Sequence, residues 1–375
     1  MNPPLLPALS DLVPMDVAGR ADRLRARFDD LEVDALLVSS LTNIRYLTGF
    51  TGSAALVLVT TEGLLFVTDA RYGEQSSDQL DDAGVSATIE VTSTEQRSIV
   101  SAAVDAADVG RLGLEADVVT WSAKRAYADR WFPSIELVAT SGAVEGLRVL
   151  KDDGELARLE AAAAIADAAL AKVRPQLADR PTEAEFGLEL DTTMRRLGAE
   201  DVSFETIVAS GPNGALPHHR AAGRTIVDGD LVVIDFGALV DGYHSDMTRT
   251  VMVGEPSAAQ QRMFDVVAGS QAAGVAAVGP GVACADVDAA CRQVIDEAGW
   301  SDAFLHGTGH GVGLDIHEDP RVGRTSTTSL EVGHVVTVEP GVYLPEHGGV
   351  RIEDTVVVTA DGCRAITHAD KAPAV

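Results

Sequence analysis

Residues 231–253, LVVIDFGALVDGYHSDMTRTVMV, hold two β-rich runs on either side of Asp241-Gly242, the dipeptide most often found in a two-residue hairpin turn. If those two residues form the loop, the numbers of paired residues sum to 483. Asp246 then faces Gly237, and Asp235 lies on the same sheet face one diagonal step away. Asp235 follows Leu231-Val232-Val233-Ile234 and precedes Phe236, an interior-like context in which an unpaired charge is costly. Two solutions are open: acids facing solvent from an edge strand, or a bound cation.

A second segment repeats the pattern. Residues 335–358, VVTVEPGVYLPEHGGVRIEDTVVV, read as strand, turn-rich loop and strand, and a hairpin centred on Glu346 sets Glu339 opposite Glu353. Two carboxylates about 4 Å apart repel by roughly 4 kcal/mol at an effective dielectric near 20. Four converging acids therefore need metal ions or protons to coexist. Between the hairpins lies HGTGHGVGLDIHE, residues 306–318, whose glycines at 307, 309, 311 and 313 disfavour regular structure and permit close backbone approach, so a glycine-rich loop is expected. It carries His306, His310 and His317, three of the nine histidines. Imidazole among carboxylates suits Mn, Co, Fe or Zn better than Ca or Mg. The spacing is not that of the helical H-E-x-x-H zinc motif. Upstream, ASGPNGALPHHRAAGR adds His218 and His219 in a Gly/Pro/Asn-rich loop, which residue type alone leaves open as a plain turn or a functional one.

The chain has 375 residues, more than one core usually organises, and its 46% hydrophobic and 23% charged composition is that of ordinary globular proteins. The net charge of −28 repels phosphate backbones and anionic lipid surfaces, so neither nucleic acid nor membrane is expected as a partner. Cys284, Cys291 and Cys363 have no C-x-x-C spacing, which fits a reducing compartment, and the opening MNPPLLPALSDLVPMD lacks the features of an export signal. The uncharged run from Val266 to Ala285 is interrupted by glycine and proline and reads as a soluble helix ending near Val278.

Residues 18–31 have helical periodicity, Ala35–Val38 is a short apolar run, and Ala54–Val59 and Leu64–Thr68 read as strands, so the first half looks α/β. Asp152 and Glu155 have capping-box spacing before a long Ala-rich helical segment, which puts a domain boundary just ahead of them. Beyond it, helices at 154–173, 182–197, 258–278 and 285–299 segregate from strands at 206–210, 230–238, 243–253, 334–339 and 350–358. That pattern favours α+β with an antiparallel sheet.

In order along the second half, IDFGA, HSDMTRT, GTGHGVGL, IHE, VEPGVY and RIED resemble the motifs of the pita-bread metallopeptidases, the aminopeptidase P, Xaa-Pro dipeptidase (prolidase) and creatinase group of peptidase family M24. SGPNGALPH resembles that family's substrate-loop motif, and TNIRYLTGFTGS and TDARY resemble the amino-terminal domain of its Xaa-Pro-specific members. The resemblance implies a creatinase-like α/β domain at 1–147 and an α+β pita-bread catalytic domain at 148–375. It implies that Asp235, Asp246, His310, Glu339 and Glu353 hold two divalent metal ions, manganese foremost with Co, Zn or Fe as alternatives, and that Asp246 and Glu353 bridge them. His218 and His317 resemble the histidines that contact substrate and offset the developing oxyanion. Glu339 resembles the proton shuttle, Arg351 is a further catalytic candidate, and His306 is left to a supporting role. The implied activity is hydrolysis of the bond before proline in short peptides with proline second, in a cytoplasmic homodimer. A metal-free creatinase-like hydrolase, a methionine aminopeptidase and a non-catalytic interaction protein are the alternatives, and the intact ligand set and extra amino-terminal half count against them. The motifs are shared by dipeptidases and aminopeptidases and do not choose between them.

Overall fold

The computed structural model describes residues 11–374, so the first ten residues of the segment read for an export signal lie outside it. Two compact units are present, residues 15–148 and residues 149–374, the latter joined by residues 11–14. The sequence reading put everything before residue 148 in the first block. Residues 11–14 instead belong with the larger unit, where the Val13 carbonyl accepts a hydrogen bond from Arg158 Nη1 at 2.9 Å.

The smaller unit is α/β. Its six strands run in the order Thr88–Val91, Leu64–Thr68, Ala55–Thr60, Ala35–Val38, Arg111–Glu115 and Glu136–Thr140. The central strand Ala35–Val38 is buried along its whole length, which matches its uninterrupted apolar sequence. It pairs antiparallel with Ala55–Thr60 and parallel with Arg111–Glu115. The single helix expected over 18–31 is two, Arg20–Arg25 and Phe28–Leu31. Between them Arg27 N–H bonds the Leu24 carbonyl in a tight turn, and the Arg27 guanidinium reaches the Ala143 carbonyl at 2.7 Å.

In the larger unit the helices Asp153–Val173 and Glu183–Arg196 both open with complete capping boxes, Asp152 with Glu155 and Thr182 with Glu185. Ala161, Ala162, Ala166 and Ala169 are buried on the first helix, and small side chains there bring it close to Val232, Ile234 and Phe236 of the sheet. The helices Ala258–Ala277 and Cys284–Glu297 share a second core with Val336, Val338, Val356 and Val358. Burying each such aliphatic side chain stabilises the unit by about 1.5–3 kcal/mol. The first of these helices is capped at Val278, and among the described residues no helix is long and apolar enough to cross a membrane.

Among the described residues every ladder between strands of this unit is antiparallel, and one isolated parallel bridge joins Met252 to Ala374. Val240 pairs with Tyr243, Met247 with Phe236 and Thr248 with Asp235, the register expected from a turn at Asp241-Gly242. Both turn residues have positive φ, 46° and 73°, as a type I′ turn requires. The strands are not continuous, however. They read as 230–238 and 243–253, yet the ladder breaks between Leu231–Phe236 and Ala238–Val240 on one side, and between Tyr243–His244 and Met247–Met252 on the other. Gly237 sits in the gap, where a Cβ would lie 1.9 Å from the Ser245 carbonyl oxygen. Gly237→Ala is therefore expected to lower stability by about 1–3 kcal/mol or more, since only backbone movement relieves the clash. Equal urea midpoints for variant and parent protein would contradict this.

The second hairpin also keeps its expected register. Gly341 pairs with Arg351 and Val338 with Asp354, and the interruption falls at Glu339-Pro340 and Ile352-Glu353. The strand read as 350–358 is thus two, Gly348–Arg351 and Asp354–Thr359. The segment expected as a glycine-rich loop contains a strand, Gly309–Gly311, pairing with both Glu318–Val322 and Val335–Val338. Its glycines allow this, because a Cβ at 309 would meet the Thr337 carbonyl oxygen at 2.0 Å and one at 311 the Asp319 carbonyl oxygen at 2.2 Å.

Candidate metal centre

The breaks in the two hairpins take Asp246, Glu339 and Glu353 out of regular pairing, and Gly309–Gly311 brings His310 alongside them. One ligand atom from each of Asp246, His310 and Glu353 lies within 4.8 Å of the others. His310 Nε2 is 3.5 Å from Asp246 Oδ2 and 3.4 Å from Glu339 Oε1. Asp235 and Glu339 line the same cavity of about 390 Å³, so all five residues singled out as ligands meet in one place.

His310 Nδ1 lies 2.9 Å from the Gly311 carbonyl, an acceptor, so Nδ1 carries the proton and the Nε2 lone pair faces the acids. Burial pulls its pKa down to about 4, which keeps the ring neutral and able to act as a ligand. The acids shift the other way. Burial first, then the charges of Glu353, Asp235 and Glu339, hold Asp246 well above the usual carboxylate range. Burial and the Glu339 and Asp235 charges do the same to Glu353, and burial pushes Glu339 up to about 8. Asp235 is raised by burial against the opposing pull of Arg351. Two carboxylate oxygens, Asp235 Oδ1 and Glu353 Oε1, are buried with no hydrogen-bond partner. An unsatisfied buried acceptor of this kind costs about 1–3 kcal/mol, more when charged. Divalent cations in this cavity would give such oxygens partners and offset the mutual repulsion, and four carboxylates with one imidazole form a donor set of the Mn, Fe, Co and Zn type.

Around these residues runs a layer that holds them. Thr248 Oγ1 donates to Glu353 Oε2 at 2.7 Å and accepts from Arg351 Nε at 3.0 Å. Arg351 Nη2 bonds Asp235 Oδ2 at 2.5 Å, and Nη1 donates to the Tyr343 hydroxyl at 3.0 Å. Tyr343 in turn donates to His306 Nε2 at 2.9 Å, because His306 Nδ1 is committed to the Gly307 carbonyl. His306 is therefore a neutral prop for Tyr343, with its pKa lowered to about 4 by burial. The Asp246 carbonyl accepts from Thr355 Oγ1 at 2.8 Å, and the Glu353 carbonyl accepts from the buried Arg249.

His218 and His317 both line the cavity, beside Phe204, Ile207 and Ile316. The His317 ring stands 4.4 Å from that of His310, edge to face. His219 does not line it; its Nε2 bonds Glu183 Oε2 at 2.8 Å. Sequence reasoning missed Thr248, Tyr343 and Arg321. Thr248 was within reach, since the derived register places it opposite Asp235. Arg321 lines the cavity from the strand Glu318–Val322, and nothing in its sequence context marked it.

Comparison with known proteins agrees with this geometry. Residues 157–360 match the family model for metallopeptidase family M24, and residues 20–150 match the creatinase/prolidase N-terminal domain. An uncharacterised peptidase of Bacillus subtilis is 41% identical over 94% of this chain and 98% of its own length. A Xaa-Pro dipeptidase of Pyrococcus horikoshii is 33% identical over 92% of this chain and 95% of its own. Among solved structures, a Xaa-Pro dipeptidase from Bacillus anthracis superposes with a TM-score of 0.91 at 40% identity, covering 95% of this chain and 99% of that one. An X-Pro aminopeptidase from Thermotoga maritima gives 0.86 at 32% identity, covering 95% and 100%.

Proposed function

Because the chain belongs to metallopeptidase family M24, with a creatinase-like amino-terminal domain and a pita-bread catalytic domain, we propose that it hydrolyses the bond between an amino-terminal residue and proline in dipeptides or short peptides, using two divalent metal ions. The observation that carries this reading is the pair of orphaned carboxylate oxygens, Asp235 Oδ1 and Glu353 Oε1, in a cluster of acids around His310. Asp235, Asp246, His310, Glu339 and Glu353 would hold the metals, with Asp246 and Glu353 shared between them. Such a pair supplies a nucleophilic hydroxide at neutral pH and polarises the scissile carbonyl.

The residues of the chain do the rest. Glu339, which lines the cavity 3.4 Å from His310 Nε2, takes a proton from the attacking water and delivers it to the departing prolyl nitrogen. His317, kept neutral by burial, and His218 offer N–H donors to the oxygen on which charge develops. Arg351 fixes the orientation of Asp235 through its 2.5 Å bond. The bond before proline lacks an amide N–H, so recognition falls to the shape of the apolar wall formed by Phe204, Ile207 and Ile316.

Within this activity Arg321 favours a dipeptidase. It lines the cavity, where its charge acts on both Glu339 and His317. A guanidinium at that place suits the free carboxylate of a substrate whose second residue is the last. Arg321→Ala is expected to raise KM for Xaa-Pro dipeptides by about 10–100-fold, the equivalent of losing a hydrogen-bonded charge contact, and to change Xaa-Pro-Yaa tripeptides much less. An unchanged dipeptide KM removes the dipeptidase reading.

The O/N donor set supports manganese as the native metal. The three cysteines are free, which supports a reducing, cytoplasmic setting, and Trp121 and Val118, exposed on the smaller unit, support a homodimer. The decisive assay strips metal with chelator and restores Mn, Co or Zn in the presence of di- and tripeptides. Cleavage that persists unchanged in the stripped protein excludes the metal-dependent reading in favour of a creatinase-like one, and absence of turnover with every metal favours an interaction protein.

A further inference from the structure

The doubled histidine His218-His219 divides its two side chains. His218 lines the cavity, whereas His219 turns away to Glu183, a residue that is 0% exposed at the start of the helix Glu183–Arg196. Glu183 accepts hydrogen bonds with both oxygens, all from one loop. Oε1 takes Ser210 N–H at 2.8 Å, Ser210 Oγ at 2.6 Å and Asn213 Nδ2 at 2.9 Å. Oε2 takes His219 Nε2 at 2.8 Å, Asn213 Nδ2 at 3.1 Å and Ala222 N–H at 3.3 Å. Backbone bonds from Glu183 to the Arg224 carbonyl and from Ala184 to the Ala222 carbonyl close the far end, where Arg224 pairs with Asp230 at 2.6 Å. Between these anchors the segment 214–221 carries exposed Leu216 and Arg220, and His219 is its one side-chain tie to Glu183.

We propose that Glu183 and His219 are positioning residues, a buried carboxylate and an imidazole donor that clamp the loop 210–222 and so aim His218 into the cavity. Six hydrogen bonds from five groups offset the burial of the Glu183 charge, and its pKa falls below the usual range despite the opposing effect of burial. An ionised Glu183 is an acceptor only, so His219 Nε2 donates. Fixing residue 219 fixes its neighbour, because one peptide unit leaves only two soft torsions between them. The kinetic consequence rests on the activity proposed above; the clamp itself does not.

The test uses full-length, manganese-loaded protein. His219→Ala is expected to lower kcat for an Xaa-Pro dipeptide by about 10–100-fold, as losses of outer orienting partners do, with little change in KM. His219→Gln, whose amide nitrogen reaches the same oxygen, recovers most of it. In a His218→Ala background His219→Ala should cost less than about 3-fold more, since residues acting as one unit are not additive. Trypsin cleavage after Arg220 should accelerate roughly tenfold in His219→Ala while manganese stoichiometry is unchanged, because the loop opens locally. Full additivity with His218→Ala, or equal cleavage at Arg220 in both proteins, overturns the proposal. Accelerated cleavage in a protein without Xaa-Pro activity upholds the clamp and removes the proposed activity.

Discussion

Asp246→Ala is expected to abolish stoichiometric manganese binding and to lower Xaa-Pro hydrolysis by more than about 1000-fold, well beyond the loss typical of an outer-shell partner. Asp246 is buried at the point where both hairpins and His310 converge, within ligand distance of His310 and Glu353. Removing its carboxylate leaves Glu353 Oε1 still without a partner and, on the proposed assignment, would take a ligand from the metals. Fold should survive, because the Asp246 backbone is held through its carbonyl by Thr355 and the side chain makes no hydrogen bond that the core needs. Calorimetric titration with manganese and a dipeptide assay on the same preparation measure both effects. A variant that still binds two metals and turns over at the parent rate shows that the ligand set has been misassigned.

The second large effect concerns the protein stripped of metal. Between about pH 7.2 and 8 its stability is expected to fall as pH rises. Histidines held low by burial, such as His310, are largely neutral in both the folded and the unfolded chain above the ordinary imidazole value of about 6.5, so they contribute little slope there. The raised carboxyls do contribute. Glu339 keeps its proton up to about 8 when folded, while Asp246 and Glu353 are also held well above the carboxylate range. The unfolded chain has released these protons, so the folded state binds more of them, and stability declines as pH rises towards the folded values. Below about pH 7 the histidines oppose this, because the unfolded chain then binds the extra protons, and the slope flattens. Saturating manganese should reverse the decline. At about 1000 times its dissociation constant a ligand adds roughly 4 kcal/mol, which for the catalytic unit corresponds to a Tm increase of the order of 10 °C. Melting curves at pH 7.2, 7.6 and 8 with and without manganese test this, and a gap that fails to widen with pH contradicts it.

Much of the site was legible before any coordinates because hairpin register is a local property. Side chains alternate with a period of two, and Asp241-Gly242 dictates one turn geometry, so Thr248 against Asp235 follows from counting. The same counting set Glu339 against Glu353, and the capping box at Asp152 marks a helix start by a rule that spans four residues. The strand interruptions were not legible. Leu231 to Val253 reads as two unbroken β-rich runs around the turn, and the break at Gly237 arises where the Ser245 carbonyl crowds it. The strand at Gly309–Gly311 was hidden for a related reason: its glycines count against a strand in isolation but are demanded by backbones on both sides.

The sequence by itself determined the register of the two hairpins, through spacing over short stretches of chain, and the family, through its motifs, and that resemblance singled out the candidate ligands. Only the tertiary structure decided that Thr248 braces Glu353 across 105 residues, that Arg351 reaches Asp235 across 116, and that His219 serves Glu183 while His218 faces the cavity. Those contacts depend on how separate strands and helices pack, and packing is a property of the assembled core that no local pattern encodes.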